Sequence, residues 1–132
     1  MTLEERAALA AEWRKKLHNC CAGVAMALAD QTELTQEQMR MLSSGFAGGI
    51  GGMTDGSCGA LVGAVMAAGM HKRGEGTMPA ARQISALFRE RCGSTICREI
   101  KGIGTGTVLC RCEDCVDNAV RIYCEVVGTD DD

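Results

Sequence analysis

The chain has 132 residues, long enough for one domain with its own core and too short for two ordinary ones. Its net charge is −3, with lysines and arginines scattered among acids, which leaves no basic stripe or aromatic platform for nucleic acid. Aromatics are 3% of residues against 46% hydrophobic overall, so the core must be built from Ala, Val, Leu, Ile, Met and Cys, which suits helices better than strands.

In chain order, Trp13, Leu17, Cys20, Val24 and Leu28 fall on one stripe of a helix over residues 3–30, with a break near its middle and Cys21 on the stripe's edge. Thr35 followed by Gln38 reads as a capping box that opens a short helix through about Leu42. A glycine-rich loop, "SGFAGGIGGM", follows. Thr54, Asp55, Gly56 and Ser57 favour a turn, with Ser57 the expected N-cap of the next helix. From Cys58, the positions Leu61, Val62, Val65, Met66, Gly69 and Met70 repeat at helical spacing, and this helix is expected to end near Gly74. Gly59, Gly63 and Ala67, four apart, make a smooth face for close helix packing.

Pro79 suits the first turn of another helix, whose stripe Ile84, Leu87, Phe88 and Cys92 is closed by Gly93. "STICREIKG" predicts one or two turns carrying Cys97, capped by Ser94 or Thr95. Residues 102–109 read as loop. A last helix runs from about Cys112 to Val127, with Cys112, Val116, Ala119, Val120, Tyr123 and Val127 on one face and Gly128 as its stop. The acidic tail, 129–132, is expected to fray. The sum is an all-α protein: a single domain over 1–132, a bundle of about five helices with a glycine-rich loop. The N-terminus lacks a signal-peptide core, and the apolar run 58–70 is too short to span a bilayer. No membrane insertion and a cytoplasmic location are therefore expected.

Nine cysteines stand out: Cys20, Cys21, Cys58, Cys92, Cys97, Cys110, Cys112, Cys115 and Cys124. Without an export signal, metal binding or thiol redox chemistry is favoured over a disulfide framework. Cys58, near a helix start, faces unpaired N–H groups and the positive end of the macrodipole, which favour its thiolate. "CRCEDC" places Cys110, Cys112 and Cys115 at another helix start, where thiolates can converge on one metal or close a short ring. Glu113 and Asp114 oppose thiolate formation there unless a cation is present, which tilts that corner toward metal. Cys92 and Cys124 continue apolar stripes and read as small core residues. His18 lies close to Cys20, whereas His71 in "HKR" reads as polar surface. "GIGTGT" and "GGIGGMTDG" fit neither a dinucleotide fingerprint nor a P-loop, so tight turns account for them better than phosphate binding.

The segments "NCCAGV" (19–24), "SGFAGGIGGM", Cys58-Gly59-Ala60-Leu61-Val62-Gly63 and "GSTICREIKG" (93–102), with a final cysteine opening the C-terminal helix, resemble the C_GCAxxG_C_C family, described as redox-active. The resemblance implies four principal cysteines, which map to Cys20, Cys58, Cys97 and Cys112. Cys115 is the alternative to Cys112, because Glu113 stands where the family often has proline. Cys21, Cys110 and Cys115 look like additions.

Two functional readings follow. In the first, Cys58 attacks as a thiolate and Cys20, Cys97 or Cys112 resolves, in thiol–disulfide or electron-transfer chemistry with a redox partner that the sequence does not specify. In the second, the same four cysteines bind zinc or an iron–sulfur cluster, with Cys110 and Cys115 as lesser candidates. A third makes the thiols core filler in a helical interaction protein. The oligomeric state and the substrate stay open.

Overall fold

The computed structural model describes residues 1–129, so most of the acidic tail lies outside the described residues. Its seven α-helices are α1 (Leu3–Leu17), α2 (Cys20–Ala27), α3 (Gln36–Ser43), α4 (Gly59–His71), α5 (Thr77–Cys92), α6 (Cys97–Lys101) and α7 (Cys112–Val126). Single 3₁₀ turns follow α2 and α3, and no strand is present among the described residues. The all-helical class stands, but the count of about five is corrected to seven.

The correction has two local causes. The stripe from Trp13 to Leu28 spans two helices rather than one. His18 ends α1 in the left-handed region (φ 52°), and Asn19 then caps α2, its side chain accepting from Ala22 N–H at 3.0 Å. The five-residue turn α6 also counts as a helix. Other boundaries shift less. The Thr35–Gln38 capping box is present at α3, α4 ends at His71 rather than near Gly74, and α5 opens at Thr77, two residues before Pro79.

Helix α2 is the hub. It packs against α1, α3, α4 and α7, and everything from Cys21 to Ala27 is buried. Small residues allow that crowding. A Cβ at Gly23 would lie 2.7 Å from the Ala10 carbonyl oxygen of α1. Gly59 and Gly63 of α4 also press on α2: a Cβ at Gly63 would lie 2.8 Å from Cys21 O, and one at Gly59 would lie 2.9 Å from Cys21 N. Below van der Waals distance, only the missing methyl lets the backbones meet. Helix α7 contributes Val116, Ala119, Val120 and Tyr123, all fully buried. Arg6 is buried too, reaching Ala27 O at 2.7 Å and the Asp30 carboxylate.

Candidate functional site

Two loops and four helix ends build the site. Cys20 opens α2, Cys97 opens α6 and Cys112 opens α7. Cys58 is itself the N-cap of α4, one residue before the first helical position, so Ser57 does not serve as the cap. The cause is a pairing remote in sequence. Cys58 N–H donates to Thr95 O (2.8 Å), Cys97 N–H to Gly56 O (2.9 Å) and Arg98 N–H to Thr54 O (2.7 Å). The turn before α4 is thus zipped to the turn before α6, which sets Cys58 beside Cys97.

Cys20, Cys58, Cys97 and Cys112 line one pocket, together with Cys115, Ile100 and Lys101. The glycine-rich loop supplies Phe46, Gly48 and Gly49 to its rim. The loop's amides are spent internally: Gly51 N–H donates to Gly45 O at 2.7 Å and Gly52 N–H to Ala47 O at 2.9 Å. Gly49 has φ 93°, and a Cβ there would collide with Met53 O. Only glycine can carry the turn that folds over the thiols.

The thiols fall into partnered groups. Cys20 donates to the Cys112 sulfur, and Arg14 of α1 lies against both. This contact, followed by the nearby charges of Lys101 and Arg14, holds the Cys112 thiol down at about 6. Cys20 is correspondingly pushed up, first by its bond to Cys112 and then by burial. Cys58 is held below the usual thiol range, first by Cys115 as a donor and then, against the effect of burial, by the N–H groups of Ala60 and Leu61 at the start of α4. Cys97 has no such donor, and burial raises it. Access also differs: Cys58 and Cys97 are 6% and 5% exposed, whereas Cys20 and Cys112 are half-buried.

Cys115 faces two ways, toward Cys58 on the pocket side and toward Cys92 on the other, and its thiol lies 3.9 Å from the Cys110 carbonyl oxygen. Beyond it, the sulfurs of Cys92, Cys110 and Cys115 all lie within 4.8 Å of one another, the group of potential metal ligands that meets this distance among the described residues. Cys92 is a buried core residue, as its stripe predicts, and is also a member of this trio. Cys21 is fully buried against Met66, its thiol pushed up to about 12 by burial. Cys124 is half-buried beside Thr129. All nine cysteines are thiols. His71 Nδ1 lies 2.9 Å from Gln31 O, on the surface.

Sequence reasoning missed Arg14 and Lys101, the cations beside Cys112. Arg14 lies six residues before Cys20 with a helix break between them, so no spacing rule joins the two. It also missed Cys92 as a member of a thiol group. The one available signal was Gly93, whose left-handed cap leaves room for Leu109 and so brings residue 110 alongside residue 92.

An all-helical fold with five thiols around one pocket defines a cysteine-rich helical protein. The family model described as "Putative redox-active protein (C_GCAxxG_C_C)" matches residues 18–126, and the chain belongs to that family. No curated protein and no solved structure matches the chain.

Proposed function

We propose that the pocket is a dithiol–disulfide centre in which Cys112 attacks and Cys20 resolves. The observation that carries this reading is that these two half-buried thiols line one pocket with Lys101, Cys58 and Cys97, near enough that each moves the other's titration, with Arg14 beside both. The Cys112 thiolate attacks one sulfur of a partner's disulfide and expels the other as a thiolate, which takes a proton from water. Cys20 then attacks the Cys112 sulfur of the mixed disulfide. Its proton passes to the departing thiolate. The partner has gained two electrons, and the chain holds a Cys20–Cys112 disulfide that an external dithiol reduces again.

Cys58 has helix-start stabilisation but is too enclosed to meet a partner's disulfide first. Its place beside Cys97 and Cys112 suits it to exchange with a disulfide already formed in the pocket. Nine thiols suit a reducing compartment such as the cytoplasm, which we take as the place of action. No helix among the described residues is long and apolar enough to cross a membrane.

The test is disulfide mapping. Metal-free protein, equilibrated in glutathione buffers of graded potential, is quenched with acid, alkylated, digested and read by mass spectrometry. A Cys20–Cys112 cross-link is expected, and Cys20→Ser should accumulate glutathione on Cys112. If Cys112 stays a free thiol at every potential while other cysteines pair, the assignment fails.

A further inference from the structure

Cys92, Cys110 and Cys115, the last of which also lines the pocket, come from three separate elements: the last residue of α5, the loop before α7, and the first turn of α7. Their convergence is built rather than incidental. Gly93 ends α5 with φ 90° and leaves no side chain where Leu109 packs, at 3.2 Å from the position a Cβ would take. Leu109 N–H is tied to Ile100 O at 2.9 Å, which fixes the neighbouring Cys110 against the end of α5. Asn118, one turn along α7 from Cys115, donates its amide to the Cys92 sulfur at 3.5 Å. An outer donor of that kind orients a ligating sulfur.

From this geometry we propose that Cys92, Cys110 and Cys115 hold a single thiophilic d10 cation, Cu(I) or Zn(II), at a three-sulfur site that adjoins the redox pocket and shares Cys115 with it. Three sulfurs without carboxylate or imidazole select a soft ion and discriminate against magnesium or calcium. Metal–sulfur bonds of about 2.3 Å need sulfurs slightly under 4 Å apart, so the trio, already within 4.8 Å, closes by small side-chain rotations. Binding forms three metal–sulfur bonds and releases the thiol protons to water, with no change of oxidation state. Cu(I) is satisfied by sulfur alone, whereas Zn(II) takes a water as its fourth ligand. Cys92 and Cys115 are each 1% exposed, and half-buried Cys110 is the way in. Because Cys115 also faces Cys58, a bound ion removes that sulfur from exchange with the pocket.

The site stands independently of the dithiol reading and is tested apart from it. Reduced, chelator-stripped protein is titrated anaerobically with Zn(II) in one arm and Cu(I) in another, each against a chromophoric competitor. Bound samples are then alkylated and mapped. One equivalent is expected in at least one arm, which identifies the ion, with half-buried Cys110 labelled more slowly than in the metal-free protein and half-buried Cys20 labelled as before. Cys92→Ser and Cys110→Ser should each weaken binding at least tenfold, while Cys20→Ser and Cys97→Ser bind as the parent does. Cys110 sits in a loop, so its variant keeps the fold, which circular dichroism verifies. No binding in either arm overturns the site. So does an equivalent that survives Cys92→Ser and Cys110→Ser but vanishes with Cys20→Ser and Cys97→Ser.

Discussion

Replacing Gly63 by Ala adds one methyl group at the α2–α4 contact, and its effect can be worked from the structure. The new Cβ would lie 2.8 Å from Cys21 O, 3.1 Å from Val24 Cβ and 3.2 Å from Ala25 N. Two of these three atoms are backbone, which cannot swing aside as a flexible side chain can. Overpacking costs about 1–3 kcal/mol, and rigid neighbours place this site at the upper end. Against that, Ala gains about 1 kcal/mol over Gly inside a helix. The net expectation is a loss of about 2 kcal/mol.

Gly69 is the control, on the same helix, where a Cβ would meet nothing closer than Thr77 Cγ2 at 3.7 Å. Gly69→Ala should therefore gain up to about 1 kcal/mol. At roughly 3–5 °C per kcal/mol for a chain of this size, the melting temperatures of the two variants should stand about 10 °C apart. Thermal and urea unfolding followed by circular dichroism, under reductant and chelator, reads both. A Gly63→Ala protein as stable as Gly69→Ala would refute the claim that backbone contact, rather than helix propensity, governs this face. Because Cys58 caps α4 and Cys20 opens α2, Gly63→Ala should also loosen the pocket and slow formation of the Cys20–Cys112 cross-link.

Three further outcomes are expected. In metal-free, reduced protein the alkylation rate of Cys112 should rise as pH climbs through about 6 and level off near neutrality, because the depressed value means that thiolate is already abundant there. Cys20→Ala removes the donor and should move the midpoint up toward the free-thiol value of about 8.5; an unmoved midpoint would show that Cys20 does not hold Cys112 down. Thr35→Ala deletes the hydroxyl that accepts from Gln38 N–H at 3.0 Å and should cost about 1 kcal/mol in urea unfolding. Asp30→Ala removes the carboxylate that accepts from the buried Arg6 guanidinium. Breaking a buried pair costs about 3–5 kcal/mol, and since this carboxylate is half exposed a loss of about 2 kcal/mol is expected by the same assay.

The features legible in the sequence were those carried by neighbours in the chain. The Thr35–Gln38 capping box, the small-residue face of α4 and the buried stripe of α7 each depend on residues three or four apart, and each is present. The break at His18 escaped periodicity because the apolar stripe runs on in phase across it, while the left-handed residue that makes the break carries no apolar signal. The start of α4 was displaced by one residue because Cys58 N–H is taken by Thr95 O, a partner from another turn. Cys92 read as filler for the same kind of reason. Its place in α5 explains its burial, but the sulfurs it meets arrive from a loop and another helix. Arg14 and Lys101 act on Cys112 only across space.

The contact between Cys20 and Cys112 ties chemistry to the integrity of the whole molecule. The two residues stand about 90 positions apart, and a bond between them would close a loop that takes in most of the chain, a constraint worth about 4–5 kcal/mol in the chain-entropy account. Linkage is symmetrical: whatever the cross-link adds to the fold, the fold adds to the cross-link. For a two-electron couple about 1.4 kcal/mol corresponds to 30 mV, so the fold, by holding the two sulfurs together, pulls the couple toward the oxidised form relative to the unfolded chain. Loosening that hold would push the couple the other way. The helices that bury Val24 and Val120 would then act as part of its voltage setting, and an unfolded copy of the chain would hold two distant, ordinary thiols.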